Sequence, residues 1–370
     1  MLFRNVVNLV RRFRYWLQAG PLFNKNTMQD FEEYLRQGEP NKAEKAGVWK
    51  TAIGLQQVDG LKPSDYLIAT AKQNIEGSIT IDEVKLRIDT YYQQQAVKND
   101  KDRTEEADKV SARIAEILSE DSFAFSPAEY LSIHRRLFQG IYSHAGEVRD
   151  YNIAKKEWVL NGETVLYASA ASLKATLEYD FEQEKKFSYK GLTRQEIVEH
   201  IAHFISYLWQ IHVFGEGNTR TTALFLIKYL RKLGFKEVNN DLFAEHSRYF
   251  RNALVRANYE DLSKGIHKTE QYLIRFLLNL LLKENHPLKN REMHIHYIDT
   301  VNDTVKLKND TVNDTIFDLI KKNNHITAVE ISEKLKISLS TSKRRIKALK
   351  EQGKIKRIGS DKTGYWKAIE

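Results

Sequence analysis

The chain contains no cysteine among its 370 residues. That absence excludes disulfide bonds, thiol catalysis and thiolate metal sites, and it is typical of proteins of the reducing cytoplasm. Proline and glycine are sparse, at 5 and 17 residues, and no segment approaches the run of about 20 uncharged apolar residues that a membrane span needs. Apolar residues recur mostly at helical spacing. We therefore expect a mainly α-helical, cytoplasmic protein with no membrane span.

The positive charge is concentrated at one end. The chain has a net charge of +9, and residues 331–370 supply +8 of it, because they hold twelve Lys or Arg and four Asp or Glu. The remainder is therefore close to neutral. At this length two to three domains are expected, and the local basic character marks the C-terminal end as a separate module.

Nine residues between two apolar helical segments hold the groups that a nucleoside triphosphate site needs. They run from His212 to Arg220 and read HVFGEGNTR. Residues 196–211 before them and 223–234 after them have the apolar spacing of buried helices. Asn218 and Thr219 suit the N-cap of the second helix.

The chemistry of this loop points to phosphate. Free N–H groups and the positive end of the dipole at a helix N-terminus bind anions, and Gly217 lets the backbone approach closely. Glu216 is a candidate ligand for Mg²⁺, and Arg220 a candidate bidentate ligand for phosphate. His212 can accept a proton from an attacking hydroxyl. Each residue alone suits an ordinary capped turn, but their combination predicts a nucleotide site.

The loop resembles the active-site motif of Fic-domain proteins, H-x-F-x-[D/E]-G-N-x-R. The resemblance implies a Fic helical bundle that transfers AMP from ATP to a hydroxyl of a target protein or of the chain itself. It implies that His212 is the catalytic base, that Glu216 holds Mg²⁺ against the α- and β-phosphates, and that Phe214 anchors the loop. The residues that it assigns to ATP are Phe214, Gly215, Glu216, Gly217, Asn218, Thr219 and Arg220.

Three positions depart from the Fic pattern. Val213 replaces a proline, Thr219 a glycine, and Ala223 a second arginine that in the family grips the γ-phosphate and pairs with an inhibitory glutamate. The missing arginine leaves the orientation of ATP open. Two alternatives remain: transfer of another group, such as UMP or phosphate, and a DNA-binding regulator whose Fic domain senses nucleotide without transferring it.

A hairpin is predicted upstream of the loop. Residues 133–138 and 144–149 resemble the segment that precedes the Fic flap. Two β-prone runs, 153–160 and 163–167, then flank Asn161-Gly162, a strong hairpin signal. By resemblance this β-hairpin flap would align the target by strand addition; otherwise it is a plain surface hairpin.

Residues 61–92 predict two short helices around a corner at Glu76 and Gly77. Thr80 and Glu83 form the capping box of the second helix. The segment resembles the Fic inhibitory helix, which implies that Glu76 reaches into the ATP site as a brake.

The match of this inhibitory segment is imperfect. Lys72 stands where the family has Ser or Thr, and Ala223 removes the usual partner of the glutamate. Our hypothesis is that Arg220 substitutes as that partner. The alternative is that Glu76 merely ends a surface helix.

The C-terminal module has the order helix, helix, helix, hairpin. Helices are predicted at 314–321, 327–335 and 340–350, and strands at 354–358 and 365–369. This order resembles a winged helix-turn-helix, with the third helix in the major groove and the wing on the DNA backbone. The residues expected to contact DNA are Ser342, Lys343, Arg345, Lys347 and Lys362. Protein contact or dimerisation is the alternative use, and a homo-oligomer is compatible with it.

These features divide the chain into five parts. Residues 1–27 are apolar and basic without the apolar run of a secretory signal; a basic helix on a membrane surface is one interpretation, but we favour a disordered extension. The other parts are an N-terminal helical region (28–100), the Fic domain (101–290), a polar linker with a repeated DTVNDT sequence (291–313) and the winged module (314–370).

Overall fold

The computed structural model describes residues 25–94, 103–235, 241–297, 315–317, 319–335, 339–351, 353–359 and 364–369. They form two compact units, divided between Ile295 and His296. Helices dominate both units, so the predicted mainly α fold is confirmed. None of the helices in these ranges is long and apolar enough to cross a membrane. Of the predicted extension 1–27, residues 1–24 fall outside the described residues, and residues 25–27 begin a helix. Most of the predicted linker also falls outside them.

The first unit is a helical bundle. Its helices are α1 (Lys25–Gln37), α2 (Pro40–Gly54), α3 (Asp65–Ile75), α4 (Ile81–Gln94), α5 (Thr104–Ser119), α6 (Pro127–Phe138), α7 (Leu173–Lys186), α8 (Arg194–Ile211), α9 (Asn218–Lys232), α10 (Asp241–Ala257) and α11 (Gln271–Leu282). Short 3-10 turns lie at Leu55–Asp59, Trp158–Leu160, Ala170–Ser172, Leu262–Lys264 and Asn290–Met293.

Helix α9 lies at the centre of the bundle. Every residue from Asn218 to Leu230 is buried, as expected for a helix that is covered on all sides. It packs against α6 and α8. Two of its aromatic residues, Phe225 and Tyr229, belong to a cluster of rings that also includes Phe125, Phe181 and Phe204. The loop before α9 is therefore held by the most enclosed helix of the unit.

Local capping residues start three of the helices, and the capping box at Thr80 is the one that the sequence analysis predicts. Thr80 and Glu83 make the reciprocal hydrogen bonds of a capping box at the start of α4. Thr193 and Glu196 do the same for α8. Ser64 accepts the Leu67 N–H at the start of α3. Each side chain satisfies backbone donors that the first helical turn leaves free.

The predicted flap strands are wrong. The chain does turn at Asn161 and Gly162, which both have positive φ, but residues 153–167 contain no β-strand and Trp158–Leu160 form a 3-10 turn. The Glu157 N–H reaches the Glu163 carbonyl, whereas the next donor, the Lys155 N–H, goes to a side chain, Thr164 Oγ1. A side-chain acceptor in place of a carbonyl stops the ladder after one rung.

The second unit has the predicted order. Helical residues 315–317 and 319–322 precede α12 (Ala328–Leu335) and α13 (Leu339–Glu351). Strands β1 (Ile355–Ile358) and β2 (Tyr365–Ala368) then pair antiparallel, with Ile355 opposite Ala368. The core of this unit is formed by Ile316, Ile320, Ile326, Ile331, Ile346, Leu349 and Ile355. Three helices and a hairpin around one small core confirm the winged helix prediction.

Candidate active site

The loop between α8 and α9 exposes one carboxylate. Eight of its nine residues are buried, and Glu216 is the exposed one, with 53% of its side chain accessible. The loop thus presents a carboxylate to solvent directly before the N-terminus of α9. This is the position that the sequence predicts for a metal-binding acid.

His212 ends α8 in the left-handed region, at φ 52° and ψ 57°. That conformation is uncommon for a residue with a Cβ, so it needs support from its surroundings. Arg149 supplies this support: its Nε donates to the His212 carbonyl at 2.7 Å, and one of its Nη groups donates to the Ala168 carbonyl at 2.6 Å. The Arg149 backbone N–H also donates to the Val213 carbonyl at 3.0 Å. Arg149 therefore fixes the backbone that carries the imidazole.

The imidazole of His212 is enclosed and unpartnered. It is only 4% exposed, and neither ring nitrogen has a hydrogen-bond partner among the described residues. The Tyr167 ring lies over it at a centroid distance of 4.2 Å. Burial, helped by the charges of Lys155 and Arg251, lowers the pKa of His212 well below its usual value. The ring is therefore neutral at physiological pH and has a lone pair that can accept a proton.

A second histidine fixes the backbone at Glu216. His134 accepts the Gly146 N–H at Nδ1 (2.8 Å), so its Nε2 carries the proton and donates to the Glu216 carbonyl at 3.0 Å. Burial lowers the pKa of His134 to about 3, which keeps it in this neutral form. Its ring stacks on Phe214 at 3.6 Å.

The carboxylate of Glu216 points the other way, towards solvent. Its Oε2 lies 2.9 Å from Lys155 Nζ. The pair is partly exposed, with 20% of the lysine side chain accessible. The backbone of Glu216 is thus fixed, while its side chain forms a partly exposed ion pair with Lys155.

The middle of the loop is built on contacts within the protein. Asn218 does not cap α9; Gly217 occupies that position at φ 76°. The Asn218 amide instead bonds the backbone of Phe214 in both directions, at 3.0 and 2.7 Å. Thr219 accepts the Trp209 Nε1–H. The predicted N-cap is therefore wrong, because the amide closes the loop.

Gly215 and Gly217 face side chains and not open space. A Cβ at Gly217 would lie 2.4 Å from the Phe138 ring, and a Cβ at Gly215 would lie 2.5 Å from the Tyr151 hydroxyl. Phe214 is fully buried, as expected for an anchor. Glycine is required at 217 by the positive φ and by Phe138. The parts of Phe214, Gly215, Gly217, Asn218 and Thr219 in ATP binding stay predictions.

Arg220 is fully buried and has acidic partners from the N-terminal half of the chain. Its Nε lies 2.9 Å from Asp59 Oδ2, and its Nη2 lies 2.6 Å from Glu106 Oε1. Its Nη1 donates to Gln56 Oε1 at 3.0 Å. The predicted pairing of Arg220 with Glu76 is wrong, because these nearer groups surround the guanidinium.

Glu76 lies on the surface of the first unit. Its carboxylate is 43% exposed and lies 3.0 Å from Lys42 Nζ. The neighbouring Gly77 has φ 78° and turns the chain after α3, as the capping pattern predicts. The contacts of Glu76 are those of a residue that ends a surface helix. Its inhibitory role therefore stays a prediction, and its carboxylate pairs with Lys42 and not with a residue of the loop.

The pair between Arg220 and Asp59 belongs to a longer run of alternating charges. Arg251 lies 3.2 Å from Asp59 and 3.0 Å from Glu157. At the other end, Arg103 donates to both carboxylate oxygens of Glu106 at 2.7 Å. Although burial opposes ionisation, the charges of Arg220 and Arg251 hold the pKa of Asp59 below its usual value. The run links the turn at Leu55–Asp59 to the start of α9.

In the second unit the basic side chains lie on one face of α13. Lys343, Arg344, Lys347 and Lys350 are exposed, and Arg345 is half-buried. Ser342 is fully buried, and its hydroxyl donates to the Ala328 carbonyl at 2.8 Å. The prediction that Ser342 faces DNA is therefore wrong, because it joins α13 to α12. Lys362 lies outside the described residues.

Sequence reasoning missed the residues that hold the loop in place. Arg149 and His134 belong to the segment that resembles the Fic pre-flap, but their contacts with His212 and Glu216 span 63 and 82 positions. Asp59, Glu106 and Lys155 gave no local signal. Only one hint was available: a buried arginine at Arg220 needs acids from elsewhere in the chain.

Two family comparisons match these two units. The sequence model of the Fic/DOC family matches residues 124–230. A model described as winged helix-turn-helix DNA-binding matches residues 315–356.

Among solved structures, the chain is similar to a Fic family protein from Desulfovibrio desulfuricans G20, at 11% identity and a TM-score of 0.43 over 93% of this chain and 95% of that one. It is also similar to the N-terminal Fic domain of a Bartonella effector protein (Bep) from Bartonella sp. AR 15-3, at 16% identity and a TM-score of 0.30 over 54% and 79% of the two chains. The domain assignment depends on the two family models and not on these distant likenesses.

Proposed function

Because the chain contains a Fic/DOC family domain and a winged helix-turn-helix, we propose that it transfers AMP from ATP to a hydroxyl of a target protein and that its second unit binds DNA. One observation carries the transferase proposal. The neutral imidazole of His212 has no partner at either ring nitrogen among the described residues, and it lies in the same loop as the exposed Glu216 carboxylate.

The loop residues fit ATP and Mg²⁺ in part. Glu216 fits a metal ligand, because its carboxylate is exposed and pairs with a partly exposed lysine, Lys155, and because carboxylates are ligands that Mg²⁺ prefers. His212 fits a general base, because an unpartnered buried nitrogen is otherwise costly to keep. Arg220 does not fit a phosphate ligand in this arrangement, since its guanidinium is buried against protein groups. Bound Mg²⁺ would neutralise charge on the phosphate oxygens.

The proposed step is an in-line displacement at the α-phosphorus. The target hydroxyl oxygen bonds to phosphorus, its proton passes to a His212 ring nitrogen, and the bond to the β-phosphate oxygen breaks to release pyrophosphate. His134 and Arg149 are positioning residues, since they hold the backbones of Glu216 and His212. The Tyr167 ring packs against His212, so we expect Tyr167 to move when a target hydroxyl approaches the buried imidazole.

DNA binding by the second unit is supported by its exposed basic helix. Lys343, Arg344, Lys347 and Lys350 follow one face of α13. A helix in that position of a winged module enters the major groove, and its lysines neutralise phosphates in a salt-dependent way. This arrangement would bring a nucleotidyl transferase and a DNA site into one chain.

The test of the transferase proposal is labelling. The full chain is incubated with Mg²⁺ and ATP labelled at the α-phosphate, denatured, and analysed for covalent label on itself and on added lysate proteins. Label that needs His212 supports the proposal: His212→Ala should abolish it, and the exposed His203→Ala should not. A chain that binds ATP but never transfers label is a nucleotide-sensing regulator instead.

Mass spectrometry identifies the transferred group. Intact mass and peptide mapping after the reaction should show the mass of AMP on a Ser, Thr or Tyr. A parallel reaction with UTP tests the donor base, because the loop residues are proposed to bind the phosphates of the nucleotide and not its base. An added phosphate mass would replace AMP transfer by phosphoryl transfer.

A further inference from the structure

A bound polyphosphate would need a cation near the loop, but the arginines around the loop already bind groups of the protein. Arg220 is surrounded by Asp59, Glu106 and Gln56. Arg149 donates to backbone carbonyls beside His212. Arg251 donates to both oxygens of the Glu157 carboxylate, at 3.0 and 3.2 Å. Each of these guanidinium groups has a fixed structural task.

The helix that follows the loop offers no substitute. Ala223, one turn into α9, is fully buried, and the residues on either side of it are buried as well. Among the described residues, we therefore expect a cation for the outer phosphates on a segment that faces the loop.

Lys155 lies in that place. Its Nζ is 2.9 Å from Glu216 Oε2, and its backbone N–H is held by Thr164 Oγ1 at 3.0 Å. Its charge also acts on His212 and on Asp59. The ammonium group therefore contacts the carboxylate of the candidate site and acts electrostatically on its imidazole.

We infer that Lys155 binds the polyphosphate of the nucleotide. In this step the Lys155 ammonium group breaks its ion pair with Glu216 and binds phosphate oxygens, and Glu216 binds the metal ion. The inference rests on the proposed nucleotide site. The exchange costs little free energy, because a partly exposed ion pair contributes little to stability. It also conserves charge pairing, since each member of the pair gains an opposite charge. Lysine suits the task because its compact ammonium group binds phosphate as a point charge.

The experiment measures nucleotide affinity and not turnover. ATP and AMP are titrated with Mg²⁺ into the full-length wild type, Lys155→Ala, Lys155→Arg and Lys156→Ala, with heat release as the readout. Lys156 is the matched control, since it is the exposed neighbour in sequence. Lys155→Ala should weaken ATP binding about tenfold or more and AMP binding much less. Lys155→Arg should retain most of the affinity, and Lys156→Ala all of it.

A second readout needs no nucleotide. The His212 imidazole is followed by NMR against pH in wild type and in Lys155→Ala. Removal of the nearby positive charge should raise the His212 pKa, and Lys156→Ala should leave it unchanged. An unmoved His212 titration in Lys155→Ala would place Lys155 outside the site and overturn the inference.

The binding outcomes separate this inference from the transferase proposal. Equal ATP affinity in wild type and Lys155→Ala overturns the inference, even if wild type transfers label. Equal loss of ATP and AMP affinity also overturns it, because Lys155 would then act through the loop and not through the polyphosphate. Selective loss of ATP affinity in a chain that never transfers label supports the inference and removes the transferase.

Discussion

Arg149 Nε donates to the carbonyl of His212 at 2.7 Å, across 63 positions of sequence. The same guanidinium also bonds the carbonyls of Tyr151 and Ala168. A residue with a Cβ is less stable at φ 52° than in the common helical or extended conformations, so the position of the imidazole depends on this arginine. The Arg149 guanidinium thus joins the loop at His212 to the backbone at Tyr151 and Ala168.

Arg149→Lys should impair the loop although it keeps the charge. Lysine cannot present several donors in one plane to several carbonyls, so buried carbonyls lose their partners at about 1–3 kcal/mol each. We expect a lower melting temperature and at least about a tenfold fall in His212-dependent labelling. Arg194→Lys, at an exposed position at the start of α8, is the control. Unchanged labelling in Arg149→Lys would contradict the positioning role.

Arg220→Met should destabilise the first unit strongly. The substitution leaves Asp59 and Glu106 as buried or partly buried acids without their shared cation. Removal of one partner of a buried ion pair costs about 3–5 kcal/mol, and urea unfolding measures the loss. Lys186→Met, which removes an exposed cation 3.7 Å from Glu182, should change stability by less than about 1 kcal/mol. Equal effects would show that the buried charges relax into solvent.

Glu76→Gly should leave labelling at the wild-type level. The Glu76 carboxylate is bound to Lys42 on the surface, and Arg220 is already surrounded by other groups. The comparison is the initial rate of labelling from ATP in wild type, Glu76→Gly and Lys42→Ala. A clear rise in Glu76→Gly alone would restore the inhibitory role that the sequence suggested for this residue.

The parts predicted correctly from the sequence are those encoded locally. The predicted capping box joins Thr80 and Glu83, which are three residues apart, and it forms. The loop motif is contiguous, so its resemblance to the Fic pattern could be recognised from the sequence, and that resemblance implies the anchoring role of Phe214, which is buried. Local patterns fix helix limits because the groups that satisfy a helix end lie within one turn.

The contacts that were missed depend on long-range packing. Arg220 meets Glu106 across 114 positions, and no periodicity encodes that choice. The flap strands failed for a related reason: Asn161-Gly162 predicted the turn, but pairing beyond it depended on the Thr164 hydroxyl taking the Lys155 N–H. Ser342 was assigned to the wrong face because Ala328, its acceptor, lies on the preceding helix.

Lys343→Ala and Lys347→Ala should each weaken DNA binding of the full chain. Both side chains are exposed on α13, and loss of one phosphate contact lowers the slope of log affinity against log salt by about 1. Fluorescence anisotropy with duplex DNA over a salt series measures this slope. Ser342→Ala should instead cost about 1 kcal/mol of stability and leave the slope unchanged. Lys186→Ala, in the first unit, controls for loss of charge alone.

The burial of His212 predicts how the rate of His212-dependent labelling depends on pH. Burial, with the charges of Lys155 and Arg251, holds the pKa of His212 far below 6.5. The base is therefore already neutral at pH 6, so His212-dependent labelling should not fall between pH 8 and pH 6 through its protonation. A rate that halves near pH 6.5 would contradict the enclosed imidazole.

The same shift predicts how stability depends on pH. Below about pH 6.5 the unfolded chain binds a proton at this imidazole and the folded chain does not, so acid favours unfolding. The contribution is absent above that pH and grows by about 1.4 kcal/mol per pH unit as pH falls towards the folded pKa. Urea unfolding between pH 7 and pH 5 should therefore show a shallower loss of stability in His212→Gln than in wild type. Parallel slopes would mean that His212 titrates normally in the folded protein, and the general-base assignment would lose its physical basis.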